Sequence, residues 1–166
     1  MNDDVASALR QVATRLGAAG VRFALGGSGL LWALGLDATV RDIDLQVDED
    51  DEARLATVAG SWLEEISREG TELWASPWLA RLSVGGVDVD AIGGMAFRHT
   101  GGVARLPLRV DGHVELGSVR VPCADPALWW AVYRAYKPEK ATRLETVVDA
   151  AARRRVRDEL GLPPDW

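Results

Sequence analysis

The sequence has 166 residues, a formal net charge of −6 and a single cysteine. It contains no apolar run of the roughly 20 residues that a membrane-spanning helix needs. The length predicts one domain over residues 1–166, and the charge argues against general binding to nucleic acid or membrane surfaces. The lone Cys123 excludes an internal disulfide, and the charged N-terminus is unlike a signal peptide. We therefore expect a cytoplasmic protein that does not contact a membrane.

Hydrophobic periodicity predicts the elements of the N-terminal half. They are, in order, a helix over 2–19, a strand over 21–25, a short helix over 29–36, a strand over 43–47 and a helix from the acidic run 48–52 to about Ser67. Asn2 or Asp3 is a suitable cap for the first helix. Carboxylates are favoured at a helix N-terminus, which is the simplest interpretation of the acidic run.

The C-terminal half begins with β-like patterns and ends with helices. The predicted elements are a short strand at 73–74, a hairpin of strands 79–84 and 87–92, a turn or brief helix at 96–99, extended pieces at 103–110, 113–116 and 118–121, and helices over 126–136 and 139–160. Gly85-Gly86 and Asp111-Gly112 are turn signals. Pro107 predicts that the meander lies at a sheet edge. The arginine run 153–157 favours a solvated helical face.

The stretch from residue 25 to residue 47 carries the strongest functional signal. Asp42 and Asp44 are two residues apart, so their side chains share one face of a strand while Ile43 points into the core. Neighbouring carboxylates repel each other, and a divalent cation removes that conflict. Ahead of them, Gly26-Gly27-Ser28 offers backbone N–H groups and a hydroxyl to a phosphate. Together these features predict a site for a metal-bound nucleoside triphosphate.

A third carboxylate on the strand 87–92 would complete a two-metal site for nucleotidyl transfer. One cation would offset charge on the departing pyrophosphate, and the other would lower the pKa of an attacking hydroxyl. Asp88 and Asp90 share a face of that strand, and both are candidates.

The Gly-Gly-Ser turn, the following helix, Asp42-x-Asp44 and the later apolar-Asp-apolar strand resemble the nucleotidyltransferase fold of the DNA polymerase beta superfamily. The likeness is greatest to small bacterial members, namely antibiotic nucleotidyltransferases and the toxins of abortive-infection and toxin–antitoxin systems. It covers residues 21–94 best, with a helical part over about 125–160. It implies an α+β fold whose mixed sheet is flanked by helices, dependence on magnesium or manganese, and an NTP donor.

The resemblance also implies roles for individual residues. Ser28 would bind phosphate, Asp42 and Asp44 would bind metal, and Asp90, in preference to Asp88, would be the third carboxylate. The basic contact to the triphosphate would come from Lys137, Lys140 or Arg134. The sequence after Lys140 departs from the family pattern, so Arg41 is an alternative that would neutralise the phosphates. This set comprises Asp42, Asp44 and Asp90 with Gly26, Gly27, Ser28, Arg41, Lys137 and Lys140.

We expect NMP transfer to a hydroxyl of a small molecule, a protein or an RNA 3′ end, with an antitoxin or a second copy as partner. The alternative is an inactive relative that keeps the fold as a binding or partner protein. His99 and His113 lack neighbours at zinc-ligand spacing. Trp74 and Trp78 flank Ser76-Pro77, where core packing is favoured over stacking on a base.

Overall fold

A computed structural model describes all of residues 1–166 as six α-helices, a seven-stranded mixed sheet and a separate two-stranded hairpin. The helices are α1 (Asp3–Ala18), α2 (Gly27–Ala33), α3 (Glu52–Ala59), α4 (Pro126–Tyr136), α5 (Pro138–Leu144) and α6 (Ala150–Glu159). The strands are β1 (Phe23–Leu25), β2 (Ile43–Val47), β3 (Leu63–Ser67), β4 (Trp78–Val84), β5 (Val87–Gly93), β6 (Ala96–His99), β7 (Gly102–Arg105), β8 (Val110–Leu116) and β9 (Val119–Ala124). These elements confirm the predicted α+β class.

The large sheet has the strand order β3-β4-β5-β2-β1-β9-β8. Strand β2 runs parallel to β5 and β1 runs parallel to β9, whereas the other neighbours are antiparallel. Strands β6 and β7 pair with each other outside the large sheet, and Phe97 of β6 also forms an isolated antiparallel bridge with Trp74. The chain therefore brings β2 and β5, which carry the aspartates singled out above, together at the middle of the sheet.

Alternation along the strands divides the core between the two faces of the sheet. Ile43 and Leu45 pack with α1 and α3 on one face, while α2 and α4 to α6 cover the other. Asp44, which lies between those two apolar residues, therefore faces α2 and α4. No helix is long and apolar enough to cross a membrane.

Several predicted elements are confirmed. Asn2 caps α1, since its side chain accepts a hydrogen bond from the N–H of Val5. Asp125 and Pro126 begin α4, whose last residue is Tyr136. Gly85 and Gly86 connect β4 and β5, and both have positive φ, which the tight hairpin requires.

The predicted helix over 48–67 is wrong in its last third. Helix α3 ends at Gly60, where φ is +56°, and Leu63–Ser67 forms the edge strand β3. A bulge between Leu63 and Glu65 places both Leu63 and Ile66 opposite core-facing residues of β4. Two apolar residues three apart thus share one face of a strand and imitate helical spacing.

Three predictions in the C-terminal half are also corrected. Residues 96–99 form β6, which pairs with β7, and not a turn or helix. Gly112 lies inside an irregular part of β8 and does not join two strands. The final helix is broken because Asp149 accepts a hydrogen bond from Ala152 N–H and caps a separate α6.

Candidate active site

Three of the predicted carboxylates face one cavity of about 300 Å³. Asp44 on β2 is the direct register partner of Asp90 on β5, and Asp42 precedes β2 by one residue. All three line the cavity. Asp88 is exposed and does not line this cavity; it lines a neighbouring cavity of about 270 Å³ together with Arg81, Asp42 and Asp90. This placement favours Asp90 over Asp88 as the third carboxylate.

The three carboxylates form one wall of the cavity, and their negative charges repel one another in the absence of a cation. Burial, followed by the charges of Asp42 and Asp90, raises the pKa of Asp44 to about 6. Burial also raises the pKa of Asp90, and the nearby Arg81 offsets this only in part. Lys140 and Lys137 act in the opposite sense on Asp44 without reversing the shift. The wall thus concentrates oxygen donors whose mutual repulsion a hard divalent cation would relieve.

The donor chemistry fits magnesium or manganese, but the side chains do not form a ready-made cage. No three acidic, histidine or cysteine side chains are grouped as metal ligands. Asp42 is exposed and Asp44 and Asp90 are half-buried. Asp44 and Asp90 nevertheless occupy paired positions on adjacent strands, and all three carboxylates line one cavity.

The glycine turn lies directly against Asp44. The N–H of Gly26 donates a 2.8 Å hydrogen bond to the backbone carbonyl of Asp44. At Gly27, where φ is +56°, a Cβ atom would lie 1.7 Å from Oδ2 of Asp44. A Cβ at Gly26 would lie 1.9 Å from the ring of Trp129. Both positions therefore require glycine, and the turn and Asp44 form one packed unit.

A basic wall faces the carboxylates. Lys140 Nζ donates a 2.7 Å hydrogen bond to Oγ of the buried Ser28, although 112 residues separate them. Burial lowers the pKa of Lys140, and the charge of Lys137 lowers it further, while Asp44 and Asp42 oppose the shift. Lys137 joins α4 to α5 and lines the cavity with the carboxylates. Two of the four candidate basic residues therefore converge on the turn and the aspartates.

The other two basic candidates lie elsewhere. Arg41 is exposed and is not part of the cavity lining. Arg134 donates to the backbone carbonyl of Asp165 and lines a different cleft on α4.

Aromatic residues of α4 lie next to the carboxylates and the glycine turn. Trp129 Nε1 and the Tyr133 hydroxyl are buried without a hydrogen-bond partner. Burial raises the pKa of Tyr133 well above its usual range, and Tyr136 and Asp44 add to the effect. A buried polar group normally has a partner, and here two on one helix have none. Trp129 lines the cavity of the carboxylates, whereas Tyr133 lies behind its lining. No sequence pattern distinguishes these residues from ordinary core aromatics.

The two loop tryptophans have different positions. Trp74 lines the cavity and makes an edge-to-face contact with Tyr136, with ring centroids 5.2 Å apart. Trp78 is buried, and its Nε1 donates to the carbonyl of Glu49 at 3.0 Å, so it has no face to offer to a base.

Comparisons with known proteins give structural matches only. No protein-family model and no curated protein sequence matches the chain. A crystal structure of a protein from Thermotoga maritima, provisionally described as a nucleotidyltransferase, is 21% identical with a TM-score of 0.72 and covers 96% of both chains.

The antibiotic-resistance factor ANT(2'')-Ia is a second structural neighbour. Its solution structure is 14% identical, with a TM-score of 0.60 over 96% of this chain and 92% of that one. Its crystal structure with adenylyl-2''-tobramycin is 15% identical, with a TM-score of 0.54 over 92% and 96%. Matches that span almost the whole of each chain show that this protein has the nucleotidyltransferase fold.

Proposed function

We propose that this protein is a metal-dependent nucleotidyltransferase that moves an NMP from an NTP to a hydroxyl acceptor. The observation that carries the proposal is the pairing of Asp44 with Asp90 across β2 and β5, in a cavity that Lys137 also lines. The Lys140–Ser28 pair lies beside this cavity, since Ser28 follows Gly27, which packs against Asp44. The fold of the structural neighbours supports the same class of reaction.

Asp42, Asp44 and Asp90 would hold the cations. Bound divalent cations would offset charge on the triphosphate and the departing pyrophosphate and would lower the pKa of the attacking hydroxyl. Asp44 sits at the centre of the set, because its register partner is Asp90 and its nearest acidic neighbour along the strand is Asp42. Asp90 lies on the β4 side of Asp44, where it is placed to orient an acceptor hydroxyl and accept its proton.

Ser28, Lys137 and Lys140 would bind the phosphates. The Ser28 hydroxyl is fixed by Lys140, so the pair presents one charged and one neutral donor next to Asp44. Lys137 is exposed at the cavity, where its ammonium group is available to a ligand. Burial lowers the pKa of Lys140 and so disfavours its charged form. An anionic ligand would favour the charged form, and the attraction between the two would add to the free energy of binding.

The acceptor we favour is a small hydroxyl compound. The cavity holds about 300 Å³, which is at the small end for ligand sites, and one structural neighbour was solved with an adenylylated antibiotic. A protein side chain and an RNA 3′ end are the other acceptors to be compared. An NTP donor is consistent with the predicted cytoplasmic location, and an antitoxin or homodimer partner remains a prediction.

The test is an incubation with α-labelled NTPs, Mg²⁺ and three acceptor classes: tobramycin, total RNA and the protein itself. We expect release of pyrophosphate with one class, and a loss on the order of 10²–10³-fold in Asp44→Asn. Mg-ATP binding is measured in parallel by calorimetry. A wild-type protein that does not bind Mg-ATP, or an Asp44→Asn variant as active as wild type, would contradict the proposal. Binding without pyrophosphate release for any acceptor would instead support the inactive relative.

A further inference from the structure

A second cleft, on the opposite side of α4 from the carboxylates, is strongly basic. It has a volume of about 280 Å³ and is lined by Arg134, Arg153, Arg154, Arg157, Trp130 and Glu145. We call it the arginine cleft. Trp129 and Trp130 are adjacent on α4 and therefore point about 100° apart, one to the carboxylate cavity and one to this cleft.

The charge of the cleft is the reverse of that of the whole chain. The chain carries a net charge of −6, yet the cleft lining has four guanidinium groups and one carboxylate. The sequence predicts a solvated helical face for this arginine run, but the side chains of Arg153 and Arg157 are only 26% and 27% exposed. Because these two side chains are partly enclosed, the repulsion between their positive charges costs more free energy than it would on an open surface.

The single carboxylate is already committed. Glu145 accepts a 3.0 Å hydrogen bond from Trp130 Nε1 and pairs with Arg153 at 3.1 Å. The Arg153 guanidinium also lies 5.9 Å from the Trp130 ring centre. Glu145 and Trp130 thus hold Arg153 in place, and no other carboxylate side chain lines the cleft.

The remaining guanidinium groups have few partners. Arg154 has no hydrogen bond or ion pair, and the only partner of Arg134 is the carbonyl of Asp165, at 3.2 Å. Arg157 is the exception, since it donates two hydrogen bonds to the exposed Asp158, at 3.0 and 3.2 Å, and one to the carbonyl of Pro164 at 3.3 Å. The unsatisfied donors therefore belong to Arg134 and Arg154. The cleft therefore has donors and positive charge in excess of what the protein itself satisfies.

We propose that the arginine cleft binds a phosphate group, carried either by a free anion such as pyrophosphate or by the phosphodiester backbone of a nucleic acid. Guanidinium forks match phosphate oxygens in geometry as well as in charge. The volume of about 280 Å³ is sufficient for one or two phosphate groups. The site is separate from the proposed reaction and does not depend on it.

Pyrophosphate binding to the full chain, measured by calorimetry in EDTA at low salt, tests the site. Arg154→Gln and Arg134→Gln are chosen because neither residue has a carboxylate partner to lose. Each is expected to weaken binding about tenfold. Arg155→Gln is the matched control, since Arg155 is exposed on the same helix and does not line the cleft; a change of about twofold or less is expected there.

Lys140→Gln separates this site from the carboxylate cavity. Pyrophosphate binding that survives Lys140→Gln but falls in Arg154→Gln supports the cleft. Binding that falls in Lys140→Gln and is unchanged in Arg154→Gln overturns the proposal. So does a wild-type protein that binds neither pyrophosphate nor the single-stranded RNA described next.

A short single-stranded RNA, followed by fluorescence anisotropy, distinguishes the two sources of phosphate. RNA binding that weakens with salt and is reduced in Arg154→Gln assigns the cleft to a nucleic-acid backbone. Pyrophosphate binding with no RNA binding assigns it to a free anion. RNA binding that is equal in Arg154→Gln and Arg155→Gln would place the RNA elsewhere and count against the cleft.

Discussion

Asp44 and Asp51 are only seven residues apart, yet their surroundings are opposite. Asp51 is buried and accepts hydrogen bonds from the backbone N–H of Arg22 at 2.8 Å and from its Nε at 3.1 Å, and it also pairs with Arg54. No hydrogen bond contributes to the pKa of Asp44, whose neighbours include two further carboxylates. One acid is satisfied within the protein, and the other is left for a ligand.

The pKa values of the two acids reflect this difference. Burial alone would raise the pKa of Asp51, but the hydrogen bonds and charge of Arg22 outweigh it and lower the value. Burial raises the pKa of Asp44 to about 6, with Asp42 and Asp90 adding to the shift. A compensated acid of this kind stabilises the fold, whereas an uncompensated one destabilises it and is a mark of a functional site.

The largest effect is expected on the rate of nucleotidyl transfer when Asp90 on β5 is replaced. Asp90→Asn should reduce nucleotidyl transfer on the order of 10²-fold, because it removes a carboxylate that faces Asp44. Asp88→Asn, two residues earlier on the same strand, is the matched control and should remain near wild type, since Asp88 faces the neighbouring cavity. Initial rates of pyrophosphate release measure both. The reverse ranking would make Asp88 the third carboxylate.

The next largest effect is expected on the free energy of unfolding when Asp51 is replaced. Asp51→Asn should lower the free energy of unfolding by about 2–3 kcal/mol, since it weakens the hydrogen bonds that the buried Asp51 accepts from Arg22 and its ion pair with Arg54. The stability that Asp51 supplies is present above the ordinary pKa of aspartate and is lost as the pH falls through its lowered folded value. Urea unfolding at neutral and acidic pH measures the change. A variant as stable as wild type at pH 7 would remove the contrast with Asp44.

The uncompensated acid should behave in the opposite way. In EDTA at pH 7, Asp44→Asn should be more stable than wild type by about 1–3 kcal/mol, because it removes a repelled carboxylate. The pKa of Asp44 is raised, so wild-type stability should fall as the pH rises from the ordinary value of 3.8 through about 6. The difference between the two proteins should therefore grow over that interval. Thermal unfolding across it is the measurement, and a destabilised variant at pH 7 would contradict the account.

The smallest effect is expected at Tyr133. Its hydroxyl is buried without a partner, so Tyr133→Phe should raise the free energy of unfolding by about 1 kcal/mol in the absence of ligand. Chemical denaturation measures this. A loss of stability would show that the hydroxyl is satisfied in solution and is not an orphan group.

The central part of the fold follows from local sequence signals. The alternation around Ile43 and the Gly85-Gly86 hairpin each act within a few residues, and each occurs as predicted. The helix after β1 is also present, but it begins at Gly27, two residues earlier than predicted, with Gly26 as its N-cap. Strand β3 was missed because its bulge depends on pairing with β4, which the local spacing of Leu63 and Ile66 does not reveal.

The candidate site likewise contains residues that the local sequence predicts and residues that only tertiary packing brings together. The carboxylates were predictable because their spacing along a strand determines which face they share. The bond between Lys140 and Ser28 joins residues 112 positions apart, and the burial of Asp51 depends on Arg22 across the sheet. Such partners are chosen by tertiary packing, so the sequence named Lys140 only as one of several candidates and interpreted Asp51 as part of a helix N-terminus.

The most direct test of the account is the binding of Mn²⁺, followed by electron paramagnetic resonance, in the presence of a non-hydrolysable ATP analogue. Wild type should bind the ion, Asp44→Asn should bind it at least about tenfold more weakly, and Asp88→Asn should match wild type. Equal Mn²⁺ affinity in all three proteins would contradict the claim that the carboxylates of β2 and β5 form the metal site.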